Sequence, residues 1–175
     1  MKKFYTLTMK MLFISLFLGI SINSWSQGAE DFSNIPTNSS SSYSVRTWTG
    51  TNGEIWTAAD ARTDQQIAGN AICIRQTAGK LTGTLTTSQQ AAGIGVITFK
   101  AANTAASGDR SKSTTYKFTC GSVVETITVQ AMGTNTVTVV SPEINSTDAT
   151  EIVIEITAQS GVRVTIDDLE WTAAG

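Results

Sequence analysis

Apolar and polar residues alternate along most of the chain after residue 43, with the period of two that is typical of β-strands. The clearest example is TEIVIEITA, in which Ile152, Ile154 and Ile156 share one parity and the polar residues take the other. The turn sequence QSG follows this segment and leads into the last one, VRVTIDDLEWT. The pattern therefore predicts a hairpin formed by the final two strands.

Nine segments have this alternating character, and turn sequences rich in Gly, Asn, Asp and Ser separate them. The least defined region is 77–92, where Leu81 and Leu85 favour one further strand. Many short strands in one chain predict an all-β fold, an antiparallel β-sandwich of jelly-roll type with about nine strands and little or no helix. In chain order the segments are SYSVRTWTG, EIWTA, NAICIRQ, GVITFK, TTYKFTC, ETITVQAM, NTVTVVS, TEIVIEITA and VRVTIDDLEWT.

The last segment changes phase in its middle. Between 162 and 166 the apolar residues lie on even positions, whereas Leu169 and Trp171 lie on odd ones, with Asp167 and Asp168 between the two halves. Both halves can face one core only if the strand contains an extra residue, which is the signature of a β-bulge. The bulge would turn one aspartate away from solvent, and a buried carboxylate needs a partner.

Residues 1–26 have the features of an export signal. Three lysines accompany an apolar run of 12 residues, MLFISLFLGISI, which is too short to cross a membrane. Ser24 and Ser26 suit the −3 and −1 positions of a cleavage site. We therefore expect a mature chain of residues 27–175 that forms one domain without a membrane span, in the periplasm or outside the cell.

Charge excludes one class of partner. Without the three lysines of the signal, the chain has nine basic and 14 acidic residues. Since cations that neutralise phosphates supply most of the affinity for nucleic acids, we do not expect this chain to bind them. The 26 threonines of the mature part agree with a fold made of strands.

The two cysteines leave two alternatives open. An exported chain reaches an oxidising compartment, where Cys73 and Cys120 could form a disulfide. Strand parity places them on different faces, so they could equally be two separate thiols packed as small apolar side chains.

Catalytic motifs are scarce. The chain has no histidine, which excludes Ser-His-Asp triads, Cys-His pairs and histidine metal sites. Two carboxylate pairs, Asp60 with Asp64 and Asp167 with Asp168, are the remaining candidates for the acid–base chemistry of glycoside hydrolysis. No second motif supports either pair, so we expect a non-catalytic protein.

The segment RTWTGTNGEIWTAADARTD is dense in residues that bind sugars. Strand parity separates Trp48 and Trp56 from their aliphatic neighbours, which favours exposed rings on which a sugar could stack. Asp60, Arg62 and Asp64 would then bind the hydroxyl groups. The same residues could instead be structural, with Trp56 in the core and Arg62 paired with Asp60 or Asp64.

Two stretches resemble a known family: EDFSNIPTNSSSSYSVRTWTGTNGEIWTAADARTDQQIAGNAICIR, and the closing VRVTIDDLEWT. They resemble secreted jelly-roll modules of Gram-negative bacteria, which often accompany exported nucleases and other extracellular enzymes. Their fold is similar to carbohydrate-binding and galactose-binding-like sandwiches. The resemblance implies a structural Ca²⁺ between the first and last strands, and the ligands carried over to this chain are Glu30, Asp31, Asp167 and Asp168.

These observations together predict a secreted, non-catalytic module that recognises a glycan through exposed aromatic rings. The alternative is a structural or adhesive module that binds an extracellular protein through a strand edge. A glycoside hydrolase is the third and least supported possibility.

Overall fold

The computed structural model describes residues 26–35, 40–77, 83–90, 93–157 and 161–175. Residues 1–25 of the expected export signal, and Leu81 of the expected extra strand, lie outside these ranges. Within them, no helix is long and apolar enough to span a membrane.

The described residues form eleven strands and one short 3₁₀ turn at Ser107–Asp109, which confirms the predicted all-β fold. All nine predicted segments contain a strand, the strand at Thr84–Thr87 contains Leu85 of the further strand expected in 77–92, and the structure adds a strand at Ser26–Glu30. The strands are β1 (Ser26–Glu30), β2 (Ser44–Thr49), β3 (Ile55–Arg62), β4 (Ile72–Arg75), β5 (Thr84–Thr87), β6 (Ile94–Ala102), β7 (Thr114–Cys120), β8 (Val123–Val129), β9 (Val137–Val140), β10 (Val153–Ile156) and β11 (Arg163–Ala173).

The strands pair in the order β8-β7-β10-β5-β3-β4-β11-β6-β9, with β2 beside β3 and β1 beside β11. Every pairing is antiparallel. Phe99 on β6 meets Tyr116 on β7 edge to face at 5.2 Å, although these strands are far apart in the pairing order. The pairing order therefore folds back on itself, and two layers enclose the core of an antiparallel β-sandwich.

The predicted hairpin between β10 and β11 is wrong. Strand β10 pairs with β5 on one edge and β7 on the other, whereas β11 pairs with β1, β4 and β6. Ile152, Ile154 and Ile156 are fully buried, as the alternation predicted. Ile154 and Ile156 belong to a central strand whose two edges are occupied, and Ile152 lies just before it. A turn sequence indicates that the chain reverses, but it does not determine which strand becomes the neighbour.

The predicted bulge in β11 is confirmed. Asp167 lies opposite Lys100 and Glu170 lies opposite Thr98, so β11 spans three residues where β6 spans two. Asp168 is the extra residue of the bulge, and its backbone has a positive φ of 45°. Apolar residues on both sides of the bulge are consequently buried in one core.

A second bulge of the same kind interrupts β3. Ser44 pairs with Ala61 and Arg46 pairs with Ala58, so β3 has one residue more than β2 between these pairs. Asp60 occupies the bulge with a φ of 49°. Before the bulge β3 pairs with β5, and after it β3 pairs with β4.

The first and last strands pair, as the family resemblance implied. Gly28 of β1 lies opposite Trp171 of β11, and Glu30 lies opposite Leu169. The indole of Trp171 covers Gly28 so closely that a Cβ there would come within 2.1 Å of the ring. Only a residue without a side chain fits beneath this ring, and the contact holds β1 against β11.

Replacing Gly28 with alanine should therefore lower the free energy of unfolding by about 1–3 kcal/mol, the usual cost of overpacking a core. Thermal denaturation followed by circular dichroism would measure the change. Ala29→Ser, at the adjacent exposed position, is the matched control and should leave the midpoint unchanged. Equal midpoints for Gly28→Ala and wild type would contradict the contact.

The bulge in β11 leads to a second prediction. Asp168→Val should lower the free energy of unfolding by about 1–2 kcal/mol, because a β-branched residue at positive φ is sterically strained. Asp168→Asn is the control, since it tolerates this conformation but loses the ion pair with the half-exposed Lys100. Urea titrations that rank the two variants equally would argue against the bulge.

Candidate ligand-binding site

The two tryptophans expected to be exposed are buried. Trp48 is 5% exposed and Trp56 is 0% exposed. Their rings stack at 6.3 Å with an angle of 10° between the planes, and Trp171 meets Trp56 edge to face at 6.1 Å. The prediction of an exposed aromatic platform is therefore wrong, and the alternative with Trp56 in the core is confirmed.

Strand parity itself is correct at these positions. Trp48 and Trp56 do lie on the face opposite their aliphatic neighbours, but Val45 and Ile55 are the outward residues, exposed by 66% and 47%. Alternation separates two faces without showing which one is buried. An indole removes more apolar surface from water than Val or Ile does, so the faces with the rings pack inward.

A buried carboxylate lies at the edge of this aromatic cluster. Glu30, at the end of β1, is 0% exposed. Its Oε1 accepts hydrogen bonds from the Phe32 N–H (2.7 Å) and from the Trp48 indole N–H (3.3 Å), and its Oε2 accepts one from the Thr51 N–H (3.0 Å). Burial outweighs these bonds and raises the pKa of Glu30 above its ordinary value of 4.5. Glu30 thereby joins the first strand to the turn between β2 and β3.

Asp31, the next predicted calcium ligand, points outward. It accepts hydrogen bonds from the backbone and hydroxyl of Ser33 and from the hydroxyl of Thr51. These bonds lower the pKa of Asp31, so its carboxylate stays charged and close to the loop that carries it.

The other two predicted ligands belong to the bulge of β11. Asp167 is 1% exposed and accepts hydrogen bonds from the N–H groups of Ala68 and Asp168, at 3.1 and 2.9 Å. Asp168 forms an ion pair with Lys100 on the surface. No group of three or more such ligands comes together anywhere in the described ranges. Glu30, Asp31, Asp167 and Asp168 thus do not fit a shared calcium site, and Ca²⁺ stays a prediction.

The raised pKa of Glu30 makes stability depend on pH in a defined direction. Because the folded-state pKa lies above the ordinary value of 4.5, the folded protein takes up the proton more readily than the unfolded chain does. The melting temperature of wild type relative to Glu30→Gln should therefore rise as pH falls from 7 towards 5. Calorimetry at several pH values would measure this difference, with Glu143→Gln at an exposed position as control. A difference that shrinks on acidification would contradict the direction of the shift.

The remaining predicted binding residues do come together. Asp60, Arg62 and Asp64 lie beside Tyr43 and Arg75, and we call these five residues the Tyr43 cluster. Arg62 forms a bidentate ion pair with Asp64, and Arg75 forms one with Asp60 at 2.7 and 2.9 Å. The Tyr43 ring lies 3.9 Å from the guanidinium of Arg75 and 5.5 Å from that of Arg62. The two cation–π contacts link both ion pairs into one unit.

Asp64 and Tyr43 of this cluster each keep one charge state at neutral pH. Hydrogen bonds from Arg62 lower the pKa of Asp64, so that carboxylate stays ionised. Burial raises the pKa of Tyr43 to about 12, so its hydroxyl stays neutral. The ion-paired side chains are 15–31% exposed, which leaves them within reach of a ligand.

Tyr43 and Arg75 were not among the predicted binding residues. The signal for them was weak, because the alternation around Ile74 placed Arg75 outward but gave it no partner. The bulge at Asp60 turns that carboxylate towards β4, where Arg75 lies 15 residues further along the chain. The ion pair between Asp60 and Arg75 could not be predicted, because the two residues are far apart in the sequence.

The cysteines are separate thiols, which was one of the two alternatives. Cys73 and Cys120 are both free and buried. Cys73 lies under the cluster, with its Sγ 4.0 Å from the Tyr43 hydroxyl, and burial raises its pKa to about 11. A thiol with a raised pKa is a poor nucleophile at neutral pH.

A shallow cleft of about 370 Å³ lies elsewhere on the surface. Gln89, Thr119 and Glu151 contribute polar side chains to it, and none of the predicted site residues lines it. This cleft is a second location at which a ligand could bind.

Comparison with solved structures agrees with the fold. No family model matches the sequence, and no curated protein matches it. The K3 adhesin domain of Lys-gingipain from Porphyromonas gingivalis is 13% identical, with 85% of this chain and 99% of that one covered and a TM-score of 0.52. The xylan-binding domain CBM22-1 of Paenibacillus barcinonensis Xyn10C is 11% identical, with 86% and 96% covered and a TM-score of 0.50.

A third similar structure is a much larger enzyme. The glycoside hydrolase family 43 arabinoxylan arabinofuranohydrolase of Bacillus subtilis is 11% identical, with 67% of this chain covered and a TM-score of 0.51. The match covers 25% of that enzyme, so this chain corresponds to about a quarter of its length. At these identities the likenesses show a shared β-sandwich fold.

Proposed function

We propose that this chain is an exported, non-catalytic module that binds a glycan through the Tyr43 cluster. The observation that carries the proposal is the pairing of two carboxylates with two guanidinium groups on one partly exposed surface. This arrangement presents hydrogen-bond donors and acceptors side by side, which is what a row of sugar hydroxyls requires.

The chemistry of such a site is polar. Each carboxylate of the cluster has lone pairs beyond those that accept from arginine, and a sugar hydroxyl can donate to them. The guanidinium groups of Arg62 and Arg75 can in turn donate to hydroxyl oxygens. Because the ion pairs already hold these side chains in place, a ligand loses little affinity to their ordering.

Stacking on tryptophan is not part of this mechanism, since Trp48 and Trp56 are buried. Tyr43 is the aromatic residue of the site, and the guanidinium of Arg75 lies 3.9 Å from its ring. We infer that Tyr43 positions the two arginines and that they, with their carboxylates, make the contacts.

The electrostatics favour binding over hydrolysis. A glycosidase needs a carboxylic acid that holds a proton near neutral pH. In this site hydrogen bonds from Arg62 lower the pKa of Asp64, which is the opposite of what a general acid requires. The similar fold of a xylan-binding domain supports glycan binding, although that likeness concerns the fold.

The second candidate function is adhesion to a protein through a strand edge. Among the described strands, β8 pairs with β7 alone, and Val124 on β8 is 52% exposed. An unpaired edge with an exposed apolar residue can accept a strand from another chain. An adhesin domain has a similar fold, which agrees with this candidate as well.

Affinity electrophoresis through gels that contain single polysaccharides would test the glycan proposal. Asp64→Asn should weaken binding about tenfold, the usual effect of losing a charged hydrogen bond. Asp168→Asn is the matched control, since it breaks an ion pair with Lys100 that is not part of the cluster.

Three results would contradict the proposal. If neither Asp64→Asn nor Asp60→Asn changes the retardation of a bound glycan, the Tyr43 cluster is not the site. Loss of binding in Glu151→Gln instead would move the site to the cleft beside Gln89 and Thr119. If no polysaccharide retards the protein, adhesion through β8 becomes the better candidate.

A further inference from the structure

Most of the cations in the described part of the chain lie around the Tyr43 cluster. Eight lysine and arginine residues and all 14 carboxylates lie in the described ranges. Five of the eight cations form hydrogen bonds or ion pairs on the strands and loop around the Tyr43 cluster, together with four aspartates, so that three cations and ten carboxylates lie elsewhere. The five are Arg46, Arg62, Arg75, Lys112 and Arg163, and the aspartates are Asp60, Asp64, Asp109 and Asp167.

Two of these arginines face each other across adjacent strands. Arg75 of β4 lies directly opposite Arg163 of β11, and residues that are opposite in register point to the same face of a sheet. Both side chains are about one-third exposed, at 31% and 33%. Like charges at opposite positions repel, so this pair favours an anion that can lie between or above them.

The carboxylate beyond Arg163 does not cancel the charge around it. Asp109 is 1% exposed and forms ion pairs with both Arg163, through Nε at 2.6 Å, and Lys112, at 3.5 Å. Two cations thus share a single carboxylate. Among the described residues, the buried Nε of Arg110, in the same loop as Asp109 and Lys112, has no hydrogen-bond partner.

We propose that the glycan of this module is acidic, and that its anionic group binds at Arg163 and Lys112 while its hydroxyls contact the Tyr43 cluster. This inference rests on the proposed function, because the anion site continues the surface of that cluster across β4 and β11. The required group is a planar or tetrahedral oxyanion attached to a sugar, such as a uronate carboxylate or a sulfate ester. A guanidinium presents two parallel N–H groups that match either of them.

Calorimetric titration of the mature protein with three polymers tests the inference. Polygalacturonate supplies uronates, dextran sulfate supplies sulfate esters, and neutral xylan supplies hydroxyls alone. We expect at least one anionic polymer to bind about tenfold or more tightly than xylan at low salt, and the preference to weaken as salt rises. The anionic polymer that binds more tightly shows whether the oxyanion is a uronate carboxylate or a sulfate ester.

Variants show whether the preference comes from this surface. Arg163→Gln should reduce affinity for the preferred anionic polymer about tenfold and leave xylan binding unchanged. Lys117→Gln makes the same change of charge at an ion pair with Glu155 in the other layer, and it should have no effect. If circular dichroism shows that Arg163→Gln does not fold, Lys112→Gln tests the same site, because it removes the other cation that pairs with Asp109.

The remaining outcomes distinguish failure of the acidic-ligand inference from failure of the proposed glycan binding. Equal affinity for xylan and both anionic polymers, unchanged by Arg163→Gln, would overturn the acidic ligand but preserve glycan binding. Absence of binding to all three would overturn both. A DNA oligonucleotide that binds as tightly as the polysaccharides would show that the surface recognises phosphate in general, which would also overturn the inference.

Discussion

The fold depends on two strands that each change partner at an aspartate with positive φ. In β3 the change from β5 to β4 takes place at Asp60, and in β11 the change from β4 to β1 takes place at Asp168. A strand that serves two neighbours in this way must keep its apolar face on the core throughout. The extra residue of each bulge makes this possible, because it resets the parity of all the side chains that follow.

The bulges also account for the position of β4. This short strand lies between the second half of β3 and the first half of β11, so it occupies the space that the two partner changes open. Carboxylates from both bulges hold it there, Asp60 through Arg75 and Asp167 through the backbone N–H of Ala68, just before the strand. The proposed ligand surface is built on β4, so its geometry follows from the same constraint.

Sequence reasoning found one bulge and missed the other, and side-chain size explains the difference. In β11 large apolar residues stand on both sides of Asp167 and Asp168, so the change of parity is visible in the printed sequence. In β3 the residues around Asp60 are alanines, which are weak markers of burial. The strands were predictable because they depend on local alternation. The pairing of the first and last strands was implied by the family resemblance, and the partner of β10 depends on the whole topology.

The candidate site was partly predictable for a related reason. Asp60, Arg62 and Asp64 are close in sequence, so their clustering could be expected, but Tyr43 and Arg75 join them through strand pairing. The burial of Trp48 and Trp56 could not be decided, because alternation does not say which face of a strand meets the core. The gathering of cations near β4 and β11 was likewise hidden, since Arg75 and Arg163 are far apart along the chain.

The aromatic cluster at the junction of the first and last strands has an optical consequence. Trp56 lies 6.3 Å from Trp48 and 6.1 Å from Trp171, and the indole N–H of Trp48 donates to the carboxylate of Glu30. A carboxylate beside an indole and the dry surroundings of the rings both influence fluorescence emission. Intrinsic fluorescence of the mature protein therefore reports the docking of its two ends, without any added label.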